Sequence, residues 1–177
     1  MKRYSVILLL IVLFTSCNYY TSPIPLSGSK NSTIDSLLLG KWIVEADNGK
    51  AGIYIYPFDK KTYLASYFEF KYDSLNGLKE DILHFKMNNT NIGKDTYYNI
   101  QSLSFKSNSE ELYSVLKLEV SNNKLAAYIL KDEIDTQFVS SVDFQAYVKL
   151  NKEVFNNSFD SLFVIKRDTT KMKSFFE

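Results

Sequence analysis

Few side chains in this sequence could do catalytic or metal chemistry, and their spacing keeps them apart. His84 is the single histidine and Cys17 the single cysteine among 177 residues. A zinc site built from several His and Cys ligands is therefore excluded. A Ser-His-Asp triad would have to use His84, which alternates onto the polar side of its strand beside Lys86. No Gly-x-Ser-x-Gly turn is present to present a nucleophile. The acidic pairs Glu80-Asp81, Glu110-Glu111 and Asp132-Glu133 are sequence neighbours, and neighbours on a strand point to opposite faces, so none makes a two-carboxylate site. Asp132, Glu133 and Asp135 lack the twelve-residue spacing and central Gly of a Ca²⁺ loop. The chain reads as a non-enzyme with no cofactor or metal.

The aromatic residues carry more information. Tyr and Phe number 13 each, against three Pro and six Gly, a balance that suits half-buried pleated surfaces. A formal charge of +1 gives no basic footprint for nucleic acid. Tyr54, Tyr56, Tyr67 and Tyr128 fall on strands with apolar residues on both faces. A phenol joins an apolar body to a polar tip, so these four are the candidate contacts for an amphipathic ligand, unless they fill or cover the barrel.

The N-terminus speaks to location. Lys2 and Arg3 precede a run of nine apolar residues, Val6 to Phe14, then Thr15, Ser16 and Cys17. This is the pattern of a signal peptide over residues 1–16; nine residues are too few to span a bilayer, which takes about 20 in helical form. The run Leu13-Phe14-Thr15-Ser16-Cys17 resembles the lipobox of bacterial lipoproteins, with Phe14 where an aliphatic is usual. The resemblance implies that Cys17 is lipidated (palmitate and diacylglyceryl chains) and becomes the new N-terminus, holding the protein to the membrane. Removal of Lys2 and Arg3 leaves 19 basic against 20 acidic residues, a formal −1. Asn18, where an Asp would signal inner-membrane retention, points to the outer membrane of the cell envelope. With one cysteine there is no intrachain disulfide, so a packed core must hold the fold. Residues 17–35, rich in Ser, Thr, Asn and Pro, read as a flexible tether.

From about residue 36 to 170 the chain reads as one domain. Period-two alternation predicts strands near residues 41–47, 52–58, 62–72, 80–87, 96–106, 112–120, 124–131 and 159–166. Asp47-Asn48-Gly49 and Ser121-Asn122-Asn123 are hairpin turns, and Asn88 to Lys94 a polar loop. A phase change between Tyr98/Ile100 and Leu103/Phe105 predicts a bulge near Gln101. The period lengthens to helical spacing at Phe144, Tyr147 and Val148, with Ser140 and Asp143 as a partial capping box, predicting a helix over 141–152. Short connections make consecutive strands antiparallel neighbours. The fold class is therefore all-β: an antiparallel up-and-down barrel of about eight strands with one C-terminal helix before the last strand.

Gly40-Lys41-Trp42 on the first strand, the succession of hairpins and the helix before a final strand together resemble the lipocalin-like (calycin-type) lipoproteins. In that family the Gly-x-Trp tryptophan closes one end of the barrel against a basic residue near the C-terminus, which would make Gly40 and Trp42, with Lys166 or Arg167, the structural set here. The resemblance implies a barrel that binds a small lipophilic ligand. The alternative is a filled barrel whose outer surface docks to an envelope protein.

Overall fold

The computed structural model describes residues 19–46, 49–73, 77–103, 111–134 and 136–169. Eight strands follow in sequence order: β1 Gly40–Ala46, β2 Gly49–Pro57, β3 Tyr63–Asp73, β4 Gly77–Ile92, β5 Asp95–Ser102, β6 Tyr113–Ser121, β7 Lys124–Leu130 and β8 Phe159–Arg167. Each pairs antiparallel with the next, and β8 pairs with β1, so the sheet is a closed up-and-down barrel. Closure removes the unpaired edges that an open sheet would expose. It rests on a short register, Trp42 opposite Arg167 and Ile43 opposite Lys166. Two main-chain bonds brace that seam: Asp168 N–H donates to Lys41 O, and Arg167 N–H donates to Asn123 O, both at 2.8 Å. The second ties the β6–β7 turn to the seam. Asn122 and Asn123 have φ of 48° and 60° there, the left-handed pair that a two-residue hairpin needs and that Asn tolerates.

The polar run Asn88 to Ile92 is strand, not loop. It continues β4 in pairing with β5 down to Ile92 opposite Asp95, around a turn in which Gly93 has φ +66°. Ladder hydrogen bonds there outweigh the low strand propensity of Asn. Pairing through Gln101 shows no register shift on either side. The phase change read at that point arises because β5 ends at Ser102, leaving Leu103 beyond the strand. The shift lies instead between Ala127 and Tyr128, where β7 meets β8.

Two cores result. One is inside the barrel, built on Trp42, Ile55, Tyr63, Met87, Leu116 and Leu125. The other lies outside it, where Tyr97, Val115 and Leu130 meet the helices and the N-terminal segment. The helical region before β8 is two pieces, α1 Ser141–Leu150 and α2 Lys152–Asn157, broken at Asn151. Ser140 caps α1, its Oγ accepting from Asp143 N–H. Phe144 and Val148, one turn apart, and Phe155 are fully buried in the outer core. Phe138 stacks on Phe144 with centroids 4.1 Å apart.

Residues 19–35, expected as a tether, are instead a strap packed on the barrel. Tyr20 N–H donates to Leu130 O, and Ser22 and Tyr113 exchange main-chain bonds. Leu26 is fully buried. The buried Asn99 side chain accepts from Leu26 N–H at 2.6 Å and donates to Ser27 O at 3.1 Å. Two asparagine-held backbone groups and one leucine thus dock a segment that has no apolar period. Asn99→Ala is expected to destabilise the domain by about 1–3 kcal/mol for the unpaired groups it leaves. Urea unfolding should show the loss, and limited proteolysis should show faster cleavage within residues 19–35.

Candidate ligand cavity

Inward-facing residues follow from register. Trp42 stands opposite Ile53, and Ile53 opposite Tyr67, so these three share the interior face while their sequence neighbours face out. At one end the interior is filled. Trp42 is fully buried, and its Nε1–H donates to Leu38 O at 2.9 Å. Tyr63 and Tyr98 meet edge to face, centroids 6.3 Å apart. Below them Tyr63 Oη donates to Thr33 O and accepts from Asp35 N–H, while Asn89 bonds Ser32 and Thr33. The strap therefore runs across this end as part of the floor.

Arg167 completes the floor. Its guanidinium lies 4.1 Å from the Trp42 ring centroid, and it donates to Leu39 O at 2.7 Å and Leu37 O at 2.5 Å. Of the two basic residues considered from sequence, Arg167 shares the face of Ile165 and Trp42, whereas Lys166 alternates outward and is exposed. Gly40 has φ +127°, and a Cβ there would stand 2.9 Å from Arg167 Nη1. The glycine thus admits both a backbone turn that side chains avoid and the close approach of the guanidinium.

Above the floor the barrel holds a half-open cavity of about 540 Å³, within the range of small-ligand sites. Ile53, Ile55, Met87, Leu116, Leu118 and Ile129 form much of its wall. Of the sixteen described residues that line it, Tyr67 and Ser114 carry the side-chain oxygens. Leu162, the residue of β8 left over where Ala127 pairs with Phe163 and Tyr128 with Ser161, lines the cavity and is 40% exposed. Bulges of this kind often mark the rim of a barrel site.

The four tyrosines named from sequence separate. Tyr67 is on the cavity wall. Tyr54 and Tyr56 face out, because Ile53 and Ile55 take the interior positions of β2. Tyr128 pairs with Lys117 on the outer side of β6 and β7. Tyr54 and Tyr56 belong to an aromatic face on β1 to β4. Lys41 Nζ sits 5.6 Å from the Tyr54 ring and 5.9 Å from that of Phe68, and pairs with Asp168 at 2.8 Å. Ser66 and His84 are cross-strand partners on this face, their side chains 2.9 Å apart, with Tyr56 Oη on Ser66 Oγ. Asn89, Asn99 and Leu38 are structural residues that the sequence reading missed. Asn89 and Asn99 carried no signal in a chain rich in surface asparagine, and Leu38 was masked by its neighbour Leu39. Among the described residues no three His, Cys, Asp or Glu side chains gather as a metal would require. Cys17 and residues 1–16 lie outside the described residues, and no described helix is long and apolar enough to cross a membrane.

Burial raises the phenol pKa of Tyr20, Tyr63 and Tyr98, and takes that of Tyr97 up to about 12, with the nearby Asp95 carboxylate adding to the last. An unfolded Tyr loses its proton near pH 10. The folded state then holds more protons than the unfolded, so stability is full below pH 10 and falls as pH rises through the folded values. Tyr97 alone accounts for about 3 kcal/mol lost between pH 10 and 12. Alkaline unfolding followed by circular dichroism should coincide with a cooperative rise in tyrosinate absorbance, rather than follow it.

The fold and cavity define a class: a closed eight-stranded antiparallel barrel with an apolar interior site. No family model, curated protein or solved structure matches the chain.

Proposed function

We propose that this is a lipid-anchored lipoprotein of the bacterial cell envelope, of lipocalin-like type and placed at the outer membrane, whose barrel binds one small lipophilic or amphipathic molecule. The observation that carries the reading is the cavity of about 540 Å³ with its aliphatic wall and two hydroxyl-bearing residues, Tyr67 and Ser114. Such a surface gains from burying an alkyl or ring system and loses if asked to desolvate a charge. The stack of Arg167 on Trp42 supports the lipocalin-like part of the reading, and the lipobox ending in Cys17 supports the anchor.

Organic extraction of the protein purified from its expressing cells, followed by mass spectrometry, tests the binding. A stoichiometric apolar compound, displaceable by an apolar fluorophore, is the expected result. A protein that carries no such compound and binds no fluorophore would end this reading. The second reading, docking to an envelope protein, is favoured by the outer aromatic face, where Tyr56, Phe58 and Ile82 are exposed. A photocrosslinker at Tyr56 that captures one protein in cells would support it.

A further inference from the structure

Val142, Ala146 and Leu150 recur every four residues along α1 and all are exposed, on the side of the helix away from the buried Phe144 and Val148. Val139 just before the helix and Val154 on α2 lengthen the stripe. Val139 is 85% exposed, Val142 75%, Leu150 84% and Val154 63%. The capping and the packing of Phe144 explain why the helix forms, but none of the described residues covers this second apolar side.

The place where the chain enters the domain indicates what covers it. Tyr19 bridges Lys131, Tyr20 N–H bonds Leu130 O, and the Tyr20 ring lies 5.7 Å from Phe144 and 6.5 Å from Phe138. Three residue steps separate Cys17 from Tyr20, a reach of at most about 11 Å. The strap being docked, no longer tether remains between a lipid on Cys17 and the surface around α1. Val139 follows Phe138, which Tyr20 touches, so the N-terminal end of the stripe lies near the point where the chain enters the domain, with the rest of the stripe on the solvent side of the same helix. By contrast Tyr56 is on β2, four strands round the barrel from β6, whose Val115 underlies the helices.

We infer that α1 rests on the bilayer beside the anchor, its Val142–Ala146–Leu150 side immersed at the headgroup boundary, and that this contact fixes the orientation of the barrel. It rests on the reading of Cys17 as the lipidated residue. An in-plane helix buries its apolar side about 5–10 Å into the headgroup and acyl boundary, a depth within reach of the short connection. The flanking charges are of both signs, Asp143 and Glu153 with Lys149 and Lys152, so the contact is apolar in character and needs no anionic lipid.

The full chain, expressed in a Gram-negative host, tests each layer separately. Incorporation of an alkynyl fatty acid that is lost in Cys17→Ser establishes the anchor. The lipidated protein is then placed in vesicles of phosphatidylethanolamine and phosphatidylglycerol, with a spin label on Val142→Cys, Leu150→Cys or Tyr56→Cys. Each introduced thiol is the only free one, because the Cys17 sulfur is in thioether linkage. Labels at 142 and 150 should be accessible to oxygen and protected from a water-soluble nickel complex, and the label at 56 the reverse. Aqueous labels at 142 and 150 in a lipidated protein, whether or not 56 is in lipid, would overturn the orientation while leaving the anchor intact. Fatty acid absent from Cys17 would remove the anchor, and the orientation with it. All three positions are exposed, and circular dichroism of each variant checks that the barrel is unchanged.

Discussion

Trp42→Ala is expected to cost about 3–5 kcal/mol, the range for truncating a large buried aromatic and a large share of the 5–15 kcal/mol that holds a typical domain. Three contributions combine at this one side chain. The fully buried ring loses its packing against the floor, Leu38 O loses the Nε1–H donor, and Arg167 loses the ring on which its guanidinium lies. Separate substitutions resolve them. Trp42→Phe keeps a ring beneath Arg167 but leaves Leu38 O unpaired, for about 1–3 kcal/mol. Arg167→Lys keeps the charge yet cannot fork to the carbonyls of Leu37 and Leu39 together, as the planar guanidinium does. Urea unfolding of Trp42→Ala, Arg167→Ala and the double variant, each of which removes the stack, should give a coupling energy within about 0.5–3 kcal/mol, as for residues in contact. A loss below about 1 kcal/mol for Trp42→Ala, or a coupling of zero, would show that the floor does not depend on this stack.

The stack joins Trp42 to Arg167 across the closing seam, far apart in sequence, and was expected only through the resemblance to lipocalin-like lipoproteins. Glycine two residues before the single tryptophan, on the first strand, placed one partner, and two basic residues at the end of the last strand bracketed the other. Alternation then decides between them: Arg167 shares the face of Ile165, and Lys166 does not. The strand order was legible in the sequence itself, since each turn from Asp47-Asn48-Gly49 to Ser121-Asn122-Asn123 joins neighbours, and neighbours joined by short turns pair antiparallel.

The strap was not legible, because its attachment is made by long-range hydrogen bonds, among them those to two buried asparagines 56 and 73 residues distant in sequence. A segment holding Tyr20 and Leu26 among Ser, Pro and Gly has the composition of a linker, and the partners that dock it, Asn89 and Asn99 with Tyr63, Tyr113 and Leu130, all lie far along the chain. That only Tyr67 of the four chosen tyrosines lines the cavity has a different reason. On β2 both Ile53/Ile55 and Tyr54/Tyr56 are apolar enough to face inward, so alternation gives the pairing of faces without their direction. What sets the direction is cross-strand: the buried Trp42 stands opposite Ile53 and carries it, and then Tyr67, to the inside. That chain of registers was available in principle to anyone who first fixed Trp42 as interior. Tyr128 lies beside the register shift between β7 and β8, where simple alternation is least dependable.

Ser114→Trp is expected to abolish binding of an apolar fluorophore, lowering affinity by at least about tenfold, or about 1.4 kcal/mol, while the barrel stays folded. Ser114 is paired across from Ile100 and contributes one of the two hydroxyl-bearing residues to the cavity wall. An indole at this position projects into the space a ligand needs, and because that space is about 540 Å³ the ring can enter it without displacing Leu116 or Leu118. The overpacking penalty of about 1–3 kcal/mol seen in filled cores should therefore be small or absent, and the variant should unfold at a urea concentration close to that of the parent. Both outcomes together discriminate between an open and a filled barrel. If the interior were filled in solution, Ser114→Trp would destabilise and there would be no fluorophore binding to lose. Tyr56→Ala gives the matching control on the outer face, where the same fluorophore should bind with unchanged affinity. Loss of binding there but not at Ser114 would move the ligand site from the interior to the aromatic surface.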